Sequence, residues 1–235
     1  MQIIIPMAGL GERFTSEGYT EPKPLIKING LTMIELVLKS LMINGRFIFV
    51  VRPELDINSV HYVIKKNVRE YEFVITEELT EGPACSVLLC ENKLNKDDEL
   101  IVANCDQIME WDGSSFLNAA KNNDGTVVTY YSQTPKNSYA RLNKFNKVTE
   151  IKEKEVISNI SLNGIHYWRK AKFFIDSAHK MIEADDRAPN GEFYVGPTYN
   201  YMISEGLSVG IYHIPKDQHH AVGTPTDLKR YLKNA

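Results

Sequence analysis

The sequence predicts an α/β fold with a mostly parallel central sheet and helices on its faces. Short apolar runs typical of buried strands lie at residues 3–5, 47–51 and 72–76. Helical segments lie between them, and the order strand, helix, strand, helix, strand is typical of a parallel sheet. Because ligands of such sheets bind beyond the carboxyl ends of the strands, the loops that follow these strands are the candidate binding regions.

The composition predicts a globular chain. It has 235 residues, 43% of them hydrophobic and 24% charged, and residues 1–235 are expected to form a single domain. A net charge of −3 argues against nucleic-acid or membrane partners, and no apolar run approaches the length of a membrane span. Three cysteines without a Cys-x-x-Cys pair indicate neither a disulfide framework nor a zinc site. A cytoplasmic location is therefore expected.

The first half of the chain contains the clearest helix signals. Thr32 can cap a helix, with Glu35 completing a capping box, and the helix should run to about Asn44-Gly45. Its buried face is expected to comprise Ile34, Val37, Leu38 and Leu41. A second helix is expected at residues 60–68, and a third should begin at Pro83, a residue suited to a first turn. A fourth strand follows at residues 99–103.

The second half contains more strands. A strand is expected at residues 126–131, a hairpin at 139–151 with its turn at Asn146, and a late strand at 207–214. Helices are expected at residues 170–185, around Tyr199, and at 226–232. Phe173, Phe174, Ala178 and Ile182 should be the inward residues of the first of these helices. The β-rich stretch 126–185 is interpreted as an excursion from one fold.

The loop after the first strand has the features of an anion site. It contains Ala8-Gly9-Leu10-Gly11, and the cations Arg13 and Lys23 follow. The two glycines let the backbone approach a ligand closely, and successive free N–H groups can bind phosphate oxygens. Phe14 replaces the third glycine of a dinucleotide fingerprint, and no Gly-Lys-Ser/Thr triplet forms a P-loop. A plain β-turn with two convenient glycines stays open as the alternative.

Asp106 is the candidate metal ligand. It follows the buried strand at residues 99–103, so its carboxylate should lie at the ligand edge of the sheet. Mg²⁺ is commonly held by one or two carboxylates together with substrate phosphates. The alternative is an aspartate that caps the following turn. Adjacent His219 and His220 would point to opposite sides of an extended chain and make a poor zinc site.

The run Gly9-x-Gly11-x-Arg13, followed by Pro22-Lys23-Pro24, resembles the sugar-phosphate nucleotidyltransferases, the nucleotide-sugar pyrophosphorylases. The resemblance spans nearly the whole chain. It implies a Rossmann-like three-layer sandwich of the GT-A-like nucleotidyltransferase type, with the β-rich excursion binding the acceptor. It also implies transfer of a nucleotide from a nucleoside triphosphate to a sugar 1-phosphate-like acceptor, with release of pyrophosphate.

The resemblance assigns roles to the residues around the opening loop. Residues 8–11 would wrap the triphosphate, and Arg13 and Lys23 would hold phosphates and the departing pyrophosphate. Glu12 stands where the family usually has Ser or Thr, so a hydroxyl contact is not expected there. Gly82 would pack under the nucleobase, with Glu81 or Ser86 beside it. A plain strand-to-helix connection is the alternative for this segment.

Asp106 matches the family's Mg²⁺ ligand, and Mg²⁺ is the expected cofactor. Many members of the family have a second acid just before the Gly-Thr that Gly223-Thr224 matches. Ala221 and Val222 occupy those positions here. The second ligand is therefore missing, shifted to Asp217 or Asp227, or replaced by water.

The acceptor site is assigned by looser matches. Glu153 would accept a sugar hydroxyl and Lys154 would hold the sugar phosphate. Gly164 belongs to a matching run at residues 162–168, and Glu192 and Tyr194 would line the same pocket. A solvated edge strand is the alternative for the charged segment at residues 150–154, and core packing is the alternative for the aromatic residues.

The expected product is a nucleotide sugar or a related activated phosphate ester, which suggests nucleotide-sugar and polysaccharide biosynthesis. Other acceptors, such as polyol, amino-alcohol or heptose phosphates, stay open, and a homo-oligomer is compatible with the sequence. Two other functions stay open: a regulatory nucleotide-binding homologue without turnover, and a metal-dependent glycosyltransferase. The latter would need an Asp-x-Asp pair, whereas the sequence here is Asn104-Cys105-Asp106.

Overall fold

A computed structural model describes residues 1–234 of the chain. The strands are β1 (Gln2–Pro6), β2 (Lys27–Ile28), β3 (Leu31–Thr32), β4 (Arg46–Val51), β5 (Tyr71–Ile75), β6 (Leu100–Ala103), β7 (Gln107–Met109), β8 (Gly125–Tyr131), β9 (Ser138–Leu142), β10 (Val148–Glu153), β11 (Ile160–Trp168), β12 (Val209–His213) and β13 (His219–Ala221). The α-helices are α1 (Glu12–Thr15), α2 (Met33–Leu41), α3 (Ile57–Asn67), α4 (Pro83–Leu88), α5 (Gly113–Ala120), α6 (Ala171–Glu183), α7 (Thr198–Ser204) and α8 (Pro225–Asn234).

Nine of these strands form one mixed sheet. Strands β5, β4, β1 and β6 lie side by side and are parallel, as the order of strands and helices predicts. Strand β11 continues the sheet beyond β6 in the antiparallel direction, and β8, β9 and β10 join it there. Strand β12 returns parallel to β8. The stretch interpreted as an excursion therefore supplies the antiparallel part of the same sheet.

Helices cover both faces of the sheet. Along β1, Ile3 and Ile5 pack into one apolar cluster and Ile4 packs into another, because successive side chains of a strand point to opposite faces. Helices α2, α3 and α5 contribute to the first cluster, and α4, α6 and α7 contribute to the second. This arrangement confirms the predicted α/β fold with a mostly parallel centre and helices on its faces.

Helix α2 begins as the sequence predicts and ends earlier. The Thr32 side chain accepts a hydrogen bond from the Glu35 backbone N–H, and Glu35 bonds back to the Thr32 N–H. The helix ends at Leu41 rather than near Asn44-Gly45, because Met42 adopts a left-handed conformation (φ 51°). Gly113 packs against the Leu41 and Met42 carbonyls, so the end of α2 is fixed by a contact distant in sequence.

Other elements match their predictions with small differences. The hairpin of β9 and β10 turns at Asn146, which has a positive φ of 58°. In α6, Ile175 and Met181 are buried, whereas Phe173 and Ile182, predicted to point inward, are only partly buried. None of the helices in the described part of the chain has the length and apolar character needed to span a membrane.

A small apolar cluster joins three parts of the chain at the carboxyl end of β1. Phe14 of α1, Ile108 of β7 and Leu228 of α8 pack together there. Strand β13 pairs with β7, so the segment that follows β13 lies against the end of β6. This packing brings the opening loop, the Asp106 region and the last 20 or so residues of the chain to one edge of the sheet.

Candidate functional site

Two clefts open at the carboxyl edge of the parallel strands. The first, of about 510 Å³, is lined by residues 6–14 together with Lys23, Pro24, Leu79, Thr80, Gly82, Pro83, Ser86, Asn104, Cys105, Asp106, Glu192, Tyr194 and Gly223. The second, also of about 510 Å³, is lined by residues of β8 to β11 and the loops between them, and by residues within the segments 104–107, 190–196 and 219–227. Arg13, Asn104, Asp106, Glu192 and Tyr194 line both, so the clefts meet at a shared wall.

The opening loop forms one side of the first cleft. Gly11 has a positive φ of 69°, and a Cβ atom there would lie 3.3 Å from the Lys23 Cβ. A side chain at this position would thus be strained and would crowd Lys23. Phe14, which is buried, anchors the single turn of α1, and the Arg13 side chain is exposed at the border between the clefts.

Lys23 and Asp106 form an ion pair in the shared region. The Lys23 Nζ atom lies 2.5 Å from Asp106 Oδ2, and both side chains are mostly buried. Burial opposes both charges, but the attraction between them prevails: it raises the pKa of Lys23 and lowers the pKa of Asp106. Burial raises the pKa of the neighbouring Cys105 thiol to about 11, so this thiol is protonated at neutral pH.

The Asp106 region fits a Mg²⁺ ion that is completed by substrate. Within residues 1–234, no group of three or more His, Cys, Asp or Glu side chains is placed to hold a metal ion alone. One carboxylate with open space beside it is the donor set that Mg²⁺ uses when phosphates and water supply the remaining ligands. The Asp106 carboxylate packs directly against Gly223, and a Cβ atom there would overlap it.

The segment that matches the family's second acid does lie beside Asp106. The Val222 backbone N–H donates to the Asp106 carbonyl oxygen at 2.9 Å. Of the two alternative acids, Asp217 is exposed and lines neither cleft, whereas Asp227 lines the second cleft. The Asp227 carboxylate accepts from the Thr224 hydroxyl at 2.6 Å and lies 3.4 Å from the Lys136 Nζ atom.

The far end of the first cleft contains a pair of hydroxyl groups. The Thr80 and Ser86 side-chain oxygens are 2.6 Å apart, and Ser86 is buried at the start of α4. Gly82 has φ 133°, and a Cβ atom there would lie 2.5 Å from the Phe193 carbonyl oxygen. Because the chain packs so closely at Gly82, residues 192–194 are held against the cleft.

The structure does not bring Glu81 into either cleft. Its carboxylate lies 2.6 Å from an Arg187 guanidinium nitrogen, and the side chain is 65% exposed. Its backbone carbonyl accepts a hydrogen bond from the Phe193 N–H at 2.8 Å. Ser86, the other residue suggested beside the base, does line the first cleft.

Glu153 and Lys154 lie where strand β10 ends in the second cleft. Glu153 is buried and accepts a hydrogen bond from the Ser138 hydroxyl; burial raises the pKa of its carboxyl group. Lys154 has a positive φ of 57°, and its Nζ atom donates to the Tyr194 hydroxyl at 2.6 Å. The left-handed turn at Lys154 directs its side chain towards the wall that the two clefts share.

Glu192 and Tyr194 form part of that shared wall. The Asn190 side-chain amide donates to Glu192 at 2.7 Å and to the Tyr194 hydroxyl at 3.1 Å. Partial burial opposes ionisation of Glu192, but hydrogen bonds from Tyr194 and Asn190 and the charge of Lys154 lower its pKa overall. Glu192 therefore stays ionised beside two cations, Lys154 and Arg13.

Several residues of the second cleft were not predicted from the sequence. Asn104 borders both clefts, and its backbone N–H donates to the Gly164 carbonyl at 3.1 Å. Gly164 has φ 94°, and a Cβ atom there would overlap the Asn104 amide. Lys136, His166 and Asp227 also line this cleft. Lys136 belongs to no motif, His166 lies in the matching run at residues 162–168 without a role assigned to it, and Asp227 was expected only as an alternative metal ligand.

The fold of this chain is similar to that of solved nucleotidyltransferase structures. The nucleoside-diphosphate-sugar pyrophosphorylase from Vibrio cholerae RC9 superposes with a TM-score of 0.89 at 22% identity, over 98% of this chain and 99% of that chain. The inositol-1-phosphate CTP transferase from T. maritima superposes with a TM-score of 0.75 at 17% identity, over 100% and 96%. At these identities the similarity establishes a shared architecture.

The sequence of the chain matches the model of one protein family. No curated protein sequence matches the chain significantly. The model of the MobA-like NTP transferase domain matches residues 3–160, a span that contains the opening loop, the Lys23–Asp106 pair and the end of β10. This match covers more than half of the 235 residues. The chain therefore belongs to the MobA-like NTP transferase family of nucleotidyltransferases.

Proposed function

We propose that this protein is a Mg²⁺-dependent nucleotidyltransferase that joins a nucleoside monophosphate unit to a sugar 1-phosphate or a similar phosphorylated acceptor. The products are a nucleoside-diphosphate ester of the acceptor, such as a nucleotide sugar, and pyrophosphate. The observation that supports it best is the meeting of the two clefts at Arg13 and Asp106. A reaction between two phosphorylated substrates needs two binding regions that open onto one reacting centre.

In this proposal the first cleft holds the nucleoside triphosphate. The backbone of residues 8–11 and the cations Arg13 and Lys23 bind its phosphates. Gly82 and the hydroxyl of Ser86 lie at the nucleobase. Apolar side chains at the rim, Leu10 and Leu79, are 48% and 58% exposed and can be covered by a bound base.

The second cleft holds the acceptor. Lys154 binds its phosphate near the shared wall, and Glu153 accepts a hydrogen bond from one of its hydroxyl groups. Gly164, which packs against the Asn104 amide, lines the pocket together with Glu192 and Tyr194. The raised pKa of buried Glu153 suits a carboxyl group that bonds to a hydroxyl group rather than to a phosphate.

The reaction is a displacement at the α-phosphorus. An oxygen of the acceptor phosphate forms the new P–O bond, and the bond from the α-phosphorus to the α,β-bridging oxygen breaks, so pyrophosphate leaves. Arg13 and Lys23 stabilise the negative charge that develops on the leaving group. The attacking phosphate oxygen is already ionised at neutral pH, so no general base is required. When bound, Mg²⁺ would be held by Asp106 and substrate oxygens and would supply electrostatic neutralisation of the phosphates.

Pyrophosphate release tests this function. The full chain is incubated with MgCl₂ and every pairing of CTP, UTP, dTTP, GTP and ATP with sugar 1-phosphates, inositol 1-phosphate and amino-alcohol phosphates. We expect pyrophosphate from one pairing, in equal amount to a new nucleoside-diphosphate ester and only when both substrates are present. Release without an acceptor, or no release from any pairing, would contradict the proposal.

One observation favours a second candidate, a nucleotide-binding regulator without turnover. Ala221 and Val222 occupy the positions at which many relatives have a second acid, and they lie beside Asp106. Triphosphate binding without pyrophosphate release across the whole panel would support this candidate.

A further inference from the structure

A buried histidine in the second cleft has a polar atom that no protein group satisfies. His166 is 6% exposed and lines the second cleft but not the first. Its Nδ1 atom is enclosed and has no hydrogen-bond partner among residues 1–234. Leaving a buried polar atom unsatisfied lowers stability. A phenylalanine would fill the same place without this cost, so the presence of a histidine indicates a function.

The local backbone brings His166 to the floor of the cleft. Leu162, Asn163, Gly164 and His166 of β11 all line the second cleft. The pairing of β11 with β8 shifts register between Leu162 and His166. Gly164 has no side chain, and the Asn104 amide packs directly against it. His166 borders the second cleft beyond this contact, where a bound ligand can contact the imidazole ring.

An aromatic stack fixes the position of the imidazole. The His166 ring lies 5.9 Å from the Trp168 ring and 5.9 Å from the Tyr199 ring, with planes inclined by 21° and 23°. Tyr199 is itself held by a hydrogen bond from its hydroxyl to the Tyr167 carbonyl at 3.0 Å. A side chain packed in this way loses little further freedom when a ligand binds.

The ring is electrically neutral, which limits the groups it can recognise. Burial lowers the pKa of His166 to about 3, so the imidazole carries no charge at physiological pH. A neutral ring has one donor and one acceptor nitrogen, and no protein bond to Nδ1 decides which nitrogen carries the proton. Such a group suits a hydroxyl, which can also donate or accept, better than a phosphate or an ammonium group.

We propose that His166 is a specificity-determining residue that hydrogen-bonds an uncharged hydroxyl of the acceptor, away from the acceptor's phosphate. The inference rests on the proposed function and narrows its acceptor to a polyhydroxylated phosphate, such as a sugar or polyol phosphate. Arg13 and Lys154, which bind phosphates in the proposed function, lie at or near the shared wall, where Lys154 donates to the Tyr194 hydroxyl. His166 lines the second cleft but not the first. A ligand that contacts both His166 and the phosphate-binding groups therefore needs a polar group besides its phosphate.

Enzyme kinetics with two variants test the inference. His166→Phe removes both ring nitrogens and keeps the stacked shape, and His166→Gln restores a neutral donor and acceptor. With the active substrate pair, we expect His166→Phe to raise the KM of the acceptor about tenfold and to leave the KM of the triphosphate within about twofold. His166→Gln should recover part of the loss. A deoxy acceptor that lacks the recognised hydroxyl should bind the wild type and His166→Phe equally.

Two controls separate recognition from folding. Because Phe leaves no polar atom unsatisfied, His166→Phe should melt at the same temperature as the wild type or higher. His213→Phe is the matched variant: His213 lies on β12 outside both clefts and contacts the Thr129 hydroxyl at 3.2 Å. His213→Phe should lower the stability of the fold and leave the acceptor KM unchanged. An unchanged acceptor KM in His166→Phe, or an equal rise in both KM values, would overturn the inference.

A binding measurement separates failure of this inference from failure of the reaction. The ¹⁵N ring signals of the six histidines are recorded by NMR during titration with each acceptor of the panel and with inorganic phosphate; His166→Phe identifies the His166 signal. A shift with a sugar or polyol phosphate but not with inorganic phosphate supports the inference, even if no pyrophosphate is released. Turnover without a shift overturns it and leaves the proposed reaction intact. No shift with any probe overturns it as well.

Discussion

The two clefts that meet at Asp106 are built in different ways. The first includes a glycine-containing stretch of main chain, the loop at residues 8–11, together with Gly82, which packs closely on Phe193. The second is formed by side chains that are already bonded to each other, as in the Lys154–Tyr194 contact at 2.6 Å and the Lys136–Asp227 contact at 3.4 Å. Main-chain donors can bind any phosphate chain, whereas fixed side-chain groups recognise the positions of particular atoms.

This difference suggests that the two clefts have separate roles in substrate recognition. Substitutions at the shared wall should affect the reaction with every substrate, those in the second cleft should affect the acceptor, and those outside both clefts should affect neither.

Asp106→Asn should have the largest effect. It removes the candidate metal ligand and keeps a polar side chain beside buried Lys23, whereas Asp106→Ala would leave the lysine charge without its partner. We expect turnover at saturating substrates to fall at least about a hundredfold, measured as pyrophosphate release over a range of Mg²⁺ concentrations. Asp217→Asn, an exposed acid outside both clefts, is the control. Wild-type turnover in Asp106→Asn would remove Asp106 from the reacting centre.

Lys154→Asn should affect the acceptor selectively. Asparagine tolerates the left-handed conformation at this position (φ 57°), so the change removes a charge with little backbone strain. We expect the acceptor KM to rise about 10–100-fold, since a charge-assisted hydrogen bond is lost, and the triphosphate KM to stay nearly constant. Lys152→Asn, two residues earlier and outside both clefts, is the matched control. A larger rise in the triphosphate KM would place Lys154 on the nucleotide side.

Glu153→Gln should change stability in a pH-dependent way. Burial raises the pKa of Glu153 above its ordinary value of 4.5, so the folded state favours the protonated form. The contribution of this group to stability is present below pH 4.5 and is lost as pH rises through the folded pKa. The melting temperature of Glu153→Gln minus that of the wild type should therefore increase by about 1–3 °C when the pH is raised from 4 to 7. If the melting temperatures of the variant and the wild type differ equally at pH 4 and pH 7, the charge of buried Glu153 does not destabilise the fold.

Glu81→Gln should have the smallest effect. The exposed carboxylate pairs with Arg187 outside the clefts, so we expect the triphosphate KM to stay within about twofold of the wild type. Ser86→Ala, whose hydroxyl lies inside the first cleft, should raise the same KM about threefold to tenfold. If Glu81→Gln has the larger effect, the carboxylate reaches the nucleobase when the nucleotide binds.

The first cleft could be predicted from sequence because its parts are local. The glycines, Arg13 and Lys23 lie within about 15 residues of each other, and strand periodicity places Asp106 at the same edge. The partners in the second cleft depend on how β11 pairs with β8 and on where α8 packs. Asn104, Lys136 and His166 converge only through that packing, so no pattern within one segment could show that they lie together. Asp227 was expected only as an alternative metal ligand. The early end of α2 has a similar cause, since Gly113 packs on the Leu41 and Met42 carbonyls.

The aromatic stack beneath His166 gives the protein an intrinsic optical signal. The chain has two tryptophans. Trp111 donates its indole N–H to the Ser40 carbonyl at 3.1 Å and lines neither cleft. Trp168 is fully buried, lies 4.8 Å from the Tyr199 ring and contacts His166, and its indole N–H has no partner among residues 1–234. Occupation of the second cleft should therefore alter the fluorescence of Trp168, so that acceptor binding can be followed by emission without a label.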